Sequence, residues 1–290
     1  AEETMASRVK SVVDAVEGII GEKISNVAGY SDVFLNGLRP GVRNQETNLG
    51  NLTADANLAA AQEYIDENPG AIGDGYLVSM KNGGGIRAAI GLELGVSGPE
   101  APVDGEVNQL AIETTLAFNN GLVLYPTTLT GLVALLEHGL AEAGATNGRF
   151  PQIGGMQVTY DPSAAAGSRL TDLELIDESG EMLVTLMSGG ELEAEGDTAI
   201  NIVSLDFLVN NDGDGYPFST HVAGDIVTLY SSDDGGYGVA GYKQNALADY
   251  LSDNHGTPSA AFDLADVDVL FDTRISIAGS DRVTYMDTSY

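Results

Sequence analysis

The chain contains no cysteine and no tryptophan among its 290 residues. Without Cys there can be no disulfide, no thiolate metal site and no cysteine nucleophile, and the redox compartment stays open. Cations are scarce as well: 12 Lys and Arg stand against 43 Asp and Glu, for a formal net charge of −31. A surface of that sign repels nucleic acid and anionic membranes. No apolar run approaches transmembrane length, and the N-terminus lacks a basic-then-apolar signal. A cleaved signal or an upstream domain ahead of Ala1 is compatible with both observations. Only three histidines occur, His138, His221 and His255, and none lies in an Asp-x-His, His-x-His or His-Glu-x-x-His arrangement. His138 reads as a helix-end residue. No Gly-x-Ser-x-Gly elbow is present. Two-metal phosphoester hydrolysis needs clustered Asp, His and Asn ligands. The chain shows no such catalytic engine.

What is present suits a folded domain. Apolar content is 43%, ordinary for a globular core. The acidic residues are spread along the chain, which indicates a folded acidic surface rather than a tail. Such a surface favours solubility in a saline environment, where self-repulsion is screened. Any anionic ligand must find local positive charge, so each retained Arg is informative.

Hydrophobic spacing gives the elements. Val9, Val12, Val13, Val16, Ile19 and Ile20 predict a helix over residues 1 to about 28. Leu49, Leu52, Ala56 and Ala59 predict a second, closely packed helix, with Thr47 or Asn48 as its cap. The apolar run Tyr76–Met80 reads as a buried strand, followed by Lys81-Asn82-Gly83-Gly84-Gly85-Ile86-Arg87. Three successive glycines disfavour helix and strand and suit a sharp turn that something approaches closely. Asn82 and Arg87 flank them with an amide and a fixed cationic fork, suited to a polar, anionic ligand. The motif is neither a dinucleotide fingerprint nor a P-loop.

A loop-rich insertion spans Gly91 to Gly105. Leu116–Gly121 and Leu122–Tyr125 read as strand, turn and strand. A helix is expected over Thr130–Leu140 and another around Asn245–Leu251. Strands are expected at Met156–Tyr160 and near Leu170–Ile176, Ala199–Leu205, Ile226–Leu229 and Val267–Phe271. The mixture predicts an α+β fold, one domain with a mixed sheet packed by helices.

A second glycine-rich segment runs from Asp206 to Tyr216. Asn210, Asp212 and Asp214 alternate ahead of Gly215 as in a calcium loop, but the twelfth position is His221 and no clear helix follows. The rival reading is a ligand loop in which Phe207 offers a flat face and Asp214 accepts hydrogen bonds. Phe118 strengthens it, because two of only 7 Phe adjoin Asn- and Gly-rich turns. Two such rings could sandwich a nucleobase at roughly 1–3 kcal/mol per stacking contact. The alternative is that both belong to the core.

Taken in order, Glu46–Leu52, Asn82–Arg87, Leu116–Asn120, Leu135–Gly139, Gly148–Gly155 and Asp206–Tyr216 resemble the C-terminal domain of the 5′-nucleotidase family. The family includes UDP-sugar hydrolases and 2′,3′-cyclic-nucleotide phosphodiesterases. The likeness extends from about Ile24 to Ile275. It implies a nucleoside-binding domain over residues 29–290, with residues 1–28 as a possible connector to an upstream metallophosphoesterase domain. That domain would hold two divalent metals; no cofactor is expected on this chain itself. The resemblance further implies that Phe118 and Phe207 stack the base, Asn82 and Arg87 line the site, and Asp214 holds the ribose. Gly154 would lie near the base, and Arg43 close to a phosphate-binding Arg. Gln45 stands where relatives often carry Arg, Ala117-Phe118-Asn119-Asn120 replaces Pro-Phe-Gly-Asn, and the Asn210–Tyr216 loop is one residue longer than usual. The implied function is substrate recognition for a periplasmic or secreted nucleotide phosphohydrolase. A stand-alone nucleoside-binding module and a calcium-stabilised surface module are the alternatives.

Overall fold

The structure, a computed structural model, describes residues 5–93, 99–177, 180–231, 235–263 and 274–279. Helix α1 (Met5–Ser25) leads into β1 (Val27–Tyr30), a short α2 (Arg39–Val42) and the long α3 (Asn48–Glu67). Then come β2 (Tyr76–Asn82), β3 (Leu92–Glu93), β4 (Pro99–Glu100), β5 (Glu106–Asn108) and α4 (Gln109–Thr115). The middle of the chain forms β6 (Leu122–Thr128), α5 (Leu129–Leu140), β7 (Pro151–Gly154), β8 (Met156–Tyr160) and β9 (Leu170–Ile176). It continues as β10 (Met182–Ser188), β11 (Glu191–Leu192), β12 (Ala199–Leu205), α6 (Asp206–Asn211) and α7 (Phe218–His221). Last come β13 (Val227–Thr228), α8 (Lys243–His255) and β14 (Ile275–Ile277).

Among the described residues two five-stranded sheets carry the architecture. The first has the order β13-β6-β12-β2-β7 and is mixed: β12 and β2 run parallel, while the other neighbours are antiparallel. The second has the order β11-β10-β9-β8-β14. Gly155, at φ 72, is the one residue between β7 and β8, so the chain leaves one sheet and enters the other there. Only Gly takes that conformation without penalty. Met80, Val123, Ile153, Met156, Leu173, Leu186 and the α5 leucines share one core. A second core joins Leu49, Leu52 and Ala56 of α3 to Leu247 and Leu251 of α8, with Ile86 and Ile112.

Helix α3 begins where the sequence indicated. The Thr47 side chain accepts from Gly50 N at 3.0 Å, an N-cap of the usual Thr kind. Just before it, the buried Glu46 carboxylate receives Asn51 Nδ2 at 2.6 Å and the backbone N–H groups of Arg274 and Ile275. Arg274 then forks onto Asp55 at 2.7 and 2.8 Å. These charge-assisted bonds fix β14 against α3.

Four expectations need correction, and one lies out of reach. Leu116–Gly121 is not a strand: α4 ends at Thr115 and the chain turns through Phe118, with Asn119 at φ 40. Asn tolerates the left-handed region, and that propensity overrides the apolar run. Helix α1 stops at Ser25, and no residue in it is buried, so its stripe of Val and Ile has the helical spacing without the packing. The Ile226–Leu229 strand shortens to Val227–Thr228, whereas the last helix extends to Lys243–His255. The Val267–Phe271 strand lies outside the described residues.

Candidate functional site

The glycine turn is the hub. A Cβ on Gly83 would overlap the Val42 carbonyl, and one on Gly84 would crowd Gly148. The bare backbones dock instead: Gly83 N donates to Phe150 O at 2.8 Å and Gly84 N to Gly148 O at 2.7 Å. The end of β2 is thereby pressed against α2 on one side and the 148–150 loop on the other. Asn147 N closes the arrangement by donating to Arg43 O at 3.0 Å.

Four of the sequence-predicted residues meet here. Asn82 Nδ2 donates to Asp214 Oδ2 at 2.5 Å, while Asn82 Oδ1 is buried with no hydrogen-bond partner. Arg43 Nε is likewise buried and unpartnered. Burial holds the Arg43 guanidinium below its usual range, helped by the charges of Arg39 and Arg87 and opposed by Asp214. Three arginines therefore act on one another across this turn, in a chain whose net charge is −31. Cationic groups of one sign this close together, with Arg43 Nε unpaired, form a receptacle for an anion.

One of the two rings stands beside the arginines. Phe118 is 64% exposed and Phe207 40%, which removes both from the core. The Arg87 guanidinium lies 5.4 Å from the Phe118 centroid, a cation–π contact that ties ring and charge together. Gly213 packs against the Phe207 ring, where a Cβ would collide with it. Asn119, next to one ring, and Asp212 and Asp214, after the other, all have positive φ. Strained loops of this kind cluster at ligand sites. An open cleft of about 290 Å³ adjoins Phe118, with Asn120, Asp206, Tyr230 and Tyr242 on its walls.

Gly154 is not part of this group. It pairs with Ser79 in the sheet and packs on Asp55 and Ala54 of α3. It stands three residues along β7 from Pro151, the partner of Asn82, or about 10 Å at the rise of a strand. Gly148 occupies the position by Arg43 and Asp214 instead, both within 3.8 Å of where its Cβ would be.

The sequence reading passed over three residues. Arg39 carried no motif signal; it is the first residue of α2, and Arg43 caps the other end of the same short helix. His138 looked like an ordinary helix end, yet its Nε2 lies 3.1 Å from Asp214 O and its ring 4.8 Å from that of Tyr216. Burial lowers the His138 pKa. Lys243 sits buried at the start of α8, with Nζ 3.3 Å from Gly85 O.

The calcium-loop geometry is taken up internally. Asp212 accepts from Ser219 N at 2.9 Å and Ser219 Oγ at 2.6 Å, while Asp214 turns to Asn82. Among the described residues no group of three His, Asp or Glu side chains could hold a metal ion. No helix among them is long and apolar enough to cross a membrane.

The profile of the family described as 5′-nucleotidase, C-terminal domain, matches residues 27–218. The chain belongs to that family. The trifunctional nucleotide phosphoesterase protein YfkN of Bacillus subtilis is 30% identical over 210 residues, 72% of this chain and 12% of that protein. The human 5′-nucleotidase is 28% identical over 51% of this chain and 24% of its own length. A 5′-nucleotidase precursor from Thermus thermophilus superposes with a TM-score of 0.67 at 24% identity, covering 93% of this chain and 43% of that one. The Haemophilus influenzae NAD nucleotidase gives 0.55 at 13% identity over 94% of this chain and 42% of its own. The chain thus spans less than half of each of these relatives, and the two structural likenesses concern the fold.

Proposed function

We propose that this chain is the substrate-recognition domain of a 5′-nucleotidase-type nucleotide phosphohydrolase that acts in the periplasm or outside the cell. The base stacks between Phe118 and Phe207, and the ribose hydroxyls meet Asp214. The phosphate projects to Arg39, Arg43 and Arg87. The observation that carries this reading is the stacking of Arg87, one of three mutually acting arginines on an otherwise anionic protein, on the solvent-exposed Phe118 ring. Roughly 1–3 kcal/mol per stacked contact is available from the rings. Fixed guanidinium forks suit a phosphate better than mobile ammonium groups do.

The described residues do not fit a metal pair, so no step of bond cleavage is assigned to them. A metallophosphoesterase domain, in the same protein or a partner, would supply two divalent ions and the activated water. This chain's part is to convert binding energy at the base into a fixed position for the scissile phosphate, the proximity contribution to catalysis.

The test is calorimetric titration of adenosine and AMP into the protein and into Phe118→Ala and Phe207→Ala, at high salt with a chelator present. Saturable binding is expected, weakened about 5- to 150-fold by either substitution at the stacking energies above. Absence of binding by the unmodified protein, or binding indifferent to both changes, overturns the reading.

A further inference from the structure

Lys243 takes no part in the recognition scheme above, yet its setting is unusual. It is 1% exposed and is the first residue of α8. A helix N-terminus is the end that disfavours cations. Its ammonium carries three donors, and among the described residues the acceptor it reaches is Gly85 O at 3.3 Å. Its backbone N donates to Asn120 O at 3.2 Å, beside the turn that carries Phe118. Lys243 therefore joins the glycine turn to the aromatic wall from behind.

Charges of both signs act on it. Arg87, from the segment after the glycine turn, opposes its protonation, and the charge of Lys243 in turn opposes protonation of Lys81 in β2. The Asp206 carboxylate of α6 favours protonation through space, while its Oδ1 accepts Phe207 N at 2.6 Å. These are the charged groups acting on Lys243 among the described residues. An added anion near Arg87 would change the balance, because Coulomb interactions are strong where water is excluded.

We propose that Lys243 is a positioning residue for the anionic end of a bound nucleotide, bracing the Gly85 carbonyl behind Arg87 and gaining a proton from solvent as the phosphate docks. The proposal rests on the nucleotide reading of the site. Burial outweighs the favourable charge of Asp206 and, with a smaller opposing effect from Arg87, brings the Lys243 pKa down to about 7, so both protonation states are populated near neutrality. Linkage then couples ligand affinity to proton uptake: whichever ligand favours the charged ammonium binds more weakly as pH rises. A one-unit rise in pKa on binding lowers affinity roughly fourfold between about pH 7 and pH 8.5.

The experiment is calorimetry of AMP binding at about pH 8, in buffers of different ionisation enthalpy and with a chelator present. At that pH the AMP phosphate is already dianionic, its second ionisation being near pH 6. His138 is also neutral there, since its pKa lies below the ordinary 6.5. Fractional proton uptake is expected with AMP, with little for adenosine, and it should vanish in Lys243→Met. Lys243→Arg, permanently charged, should bind AMP without uptake. AMP binding with equal uptake in the wild type and Lys243→Met, or with none in the wild type, overturns the inference and leaves the nucleotide reading intact. Failure of both AMP and adenosine to bind overturns the nucleotide reading itself, and the inference with it.

Should Lys243→Met fail to fold, the unmodified protein still answers. Its lysines are only Lys10, Lys23, Lys81 and Lys243, so carbon-13-labelled lysine resolves each titration. Saturating AMP should move the Lys243 midpoint upward, and Asp206→Asn should move it downward. A midpoint unmoved by bound AMP overturns the proposal.

Discussion

Asn82 and Asp214, 132 positions apart in the chain, are joined by a hydrogen bond of 2.5 Å from Asn82 Nδ2 to Asp214 Oδ2. The bond closes the end of β2 onto the loop after α6, and it holds one of the two carboxylate oxygens. Asp214 is exposed, so it can still accept from a ligand. Asn82→Ala should release the carboxylate without changing its charge. Adenosine and AMP affinity should then fall by about the same factor, roughly tenfold for one charge-assisted bond. Calorimetry on both ligands checks it; a loss confined to AMP would place Asn82 at the phosphate end instead.

Arg43 should behave in the opposite way. Its guanidinium lies among Arg39, Arg87 and Asp214, and its Nε is buried without a partner. Arg43→Met should leave adenosine binding within about twofold but weaken AMP by one to two orders of magnitude, the scale of a lost charge-assisted pair at about 1.5–3 kcal/mol. Equal effects on both ligands would show that the substitution disturbs the base pocket rather than a phosphate contact.

Much of this was legible because the signals are local. Asn82-Gly83-Gly84-Gly85 announces a backbone that something must approach, and the packing partners are the Val42 carbonyl and Gly148. Thr47 announces a cap, and the cap forms. What was not legible depended on distant strands. Gly148 and Gly154 are equivalent as letters, and only the pairing of Ser79 with Gly154 separates them. Phe118 sits in a sequence that reads as a strand; its turn is imposed by Asn119, which takes φ 40 while its side chain binds the Gly235 carbonyl and Gln244 N at 3.1 Å. Lys81 and Lys243 gave no hint that both would be buried, because burial of a Lys is a tertiary property that residue type argues against.

Gly83 gives a prediction about folding. A Cβ there would overlap the Val42 carbonyl and come within 3.2 Å of Phe150 O, both of them backbone atoms. No side-chain rotation relieves that clash. Gly83→Ala should destabilise the protein by about 1–3 kcal/mol, the usual range of overpacking costs, and should lower ligand affinity as Arg43 shifts with α2. Chemical denaturation checks the first effect. An unchanged midpoint would mean that α2 can move away freely.

Lys81 yields the pH dependence. It is fully buried, and burial with the nearby charge of Lys243 holds its pKa well below the ordinary 10.5. Lys243 is lowered to about 7. The unfolded chain therefore binds more protons than the folded one above about pH 7, and stability rises with pH from about 7 to about 10.5 wherever that difference persists. Below about pH 7 the Lys243 contribution is constant, and the remaining cost comes from Lys81. Lys81→Met removes that cost without leaving an orphan. Thr53 Oγ1, which accepts from Lys81 Nζ at 2.7 Å, already donates to Leu49 O at 2.8 Å. The substitution should raise the melting temperature at neutral pH by about 2–4 °C for each kcal/mol relieved, and should flatten the rise on the alkaline side. A melting temperature that drops instead would show that the ammonium is held by interactions stronger than its desolvation.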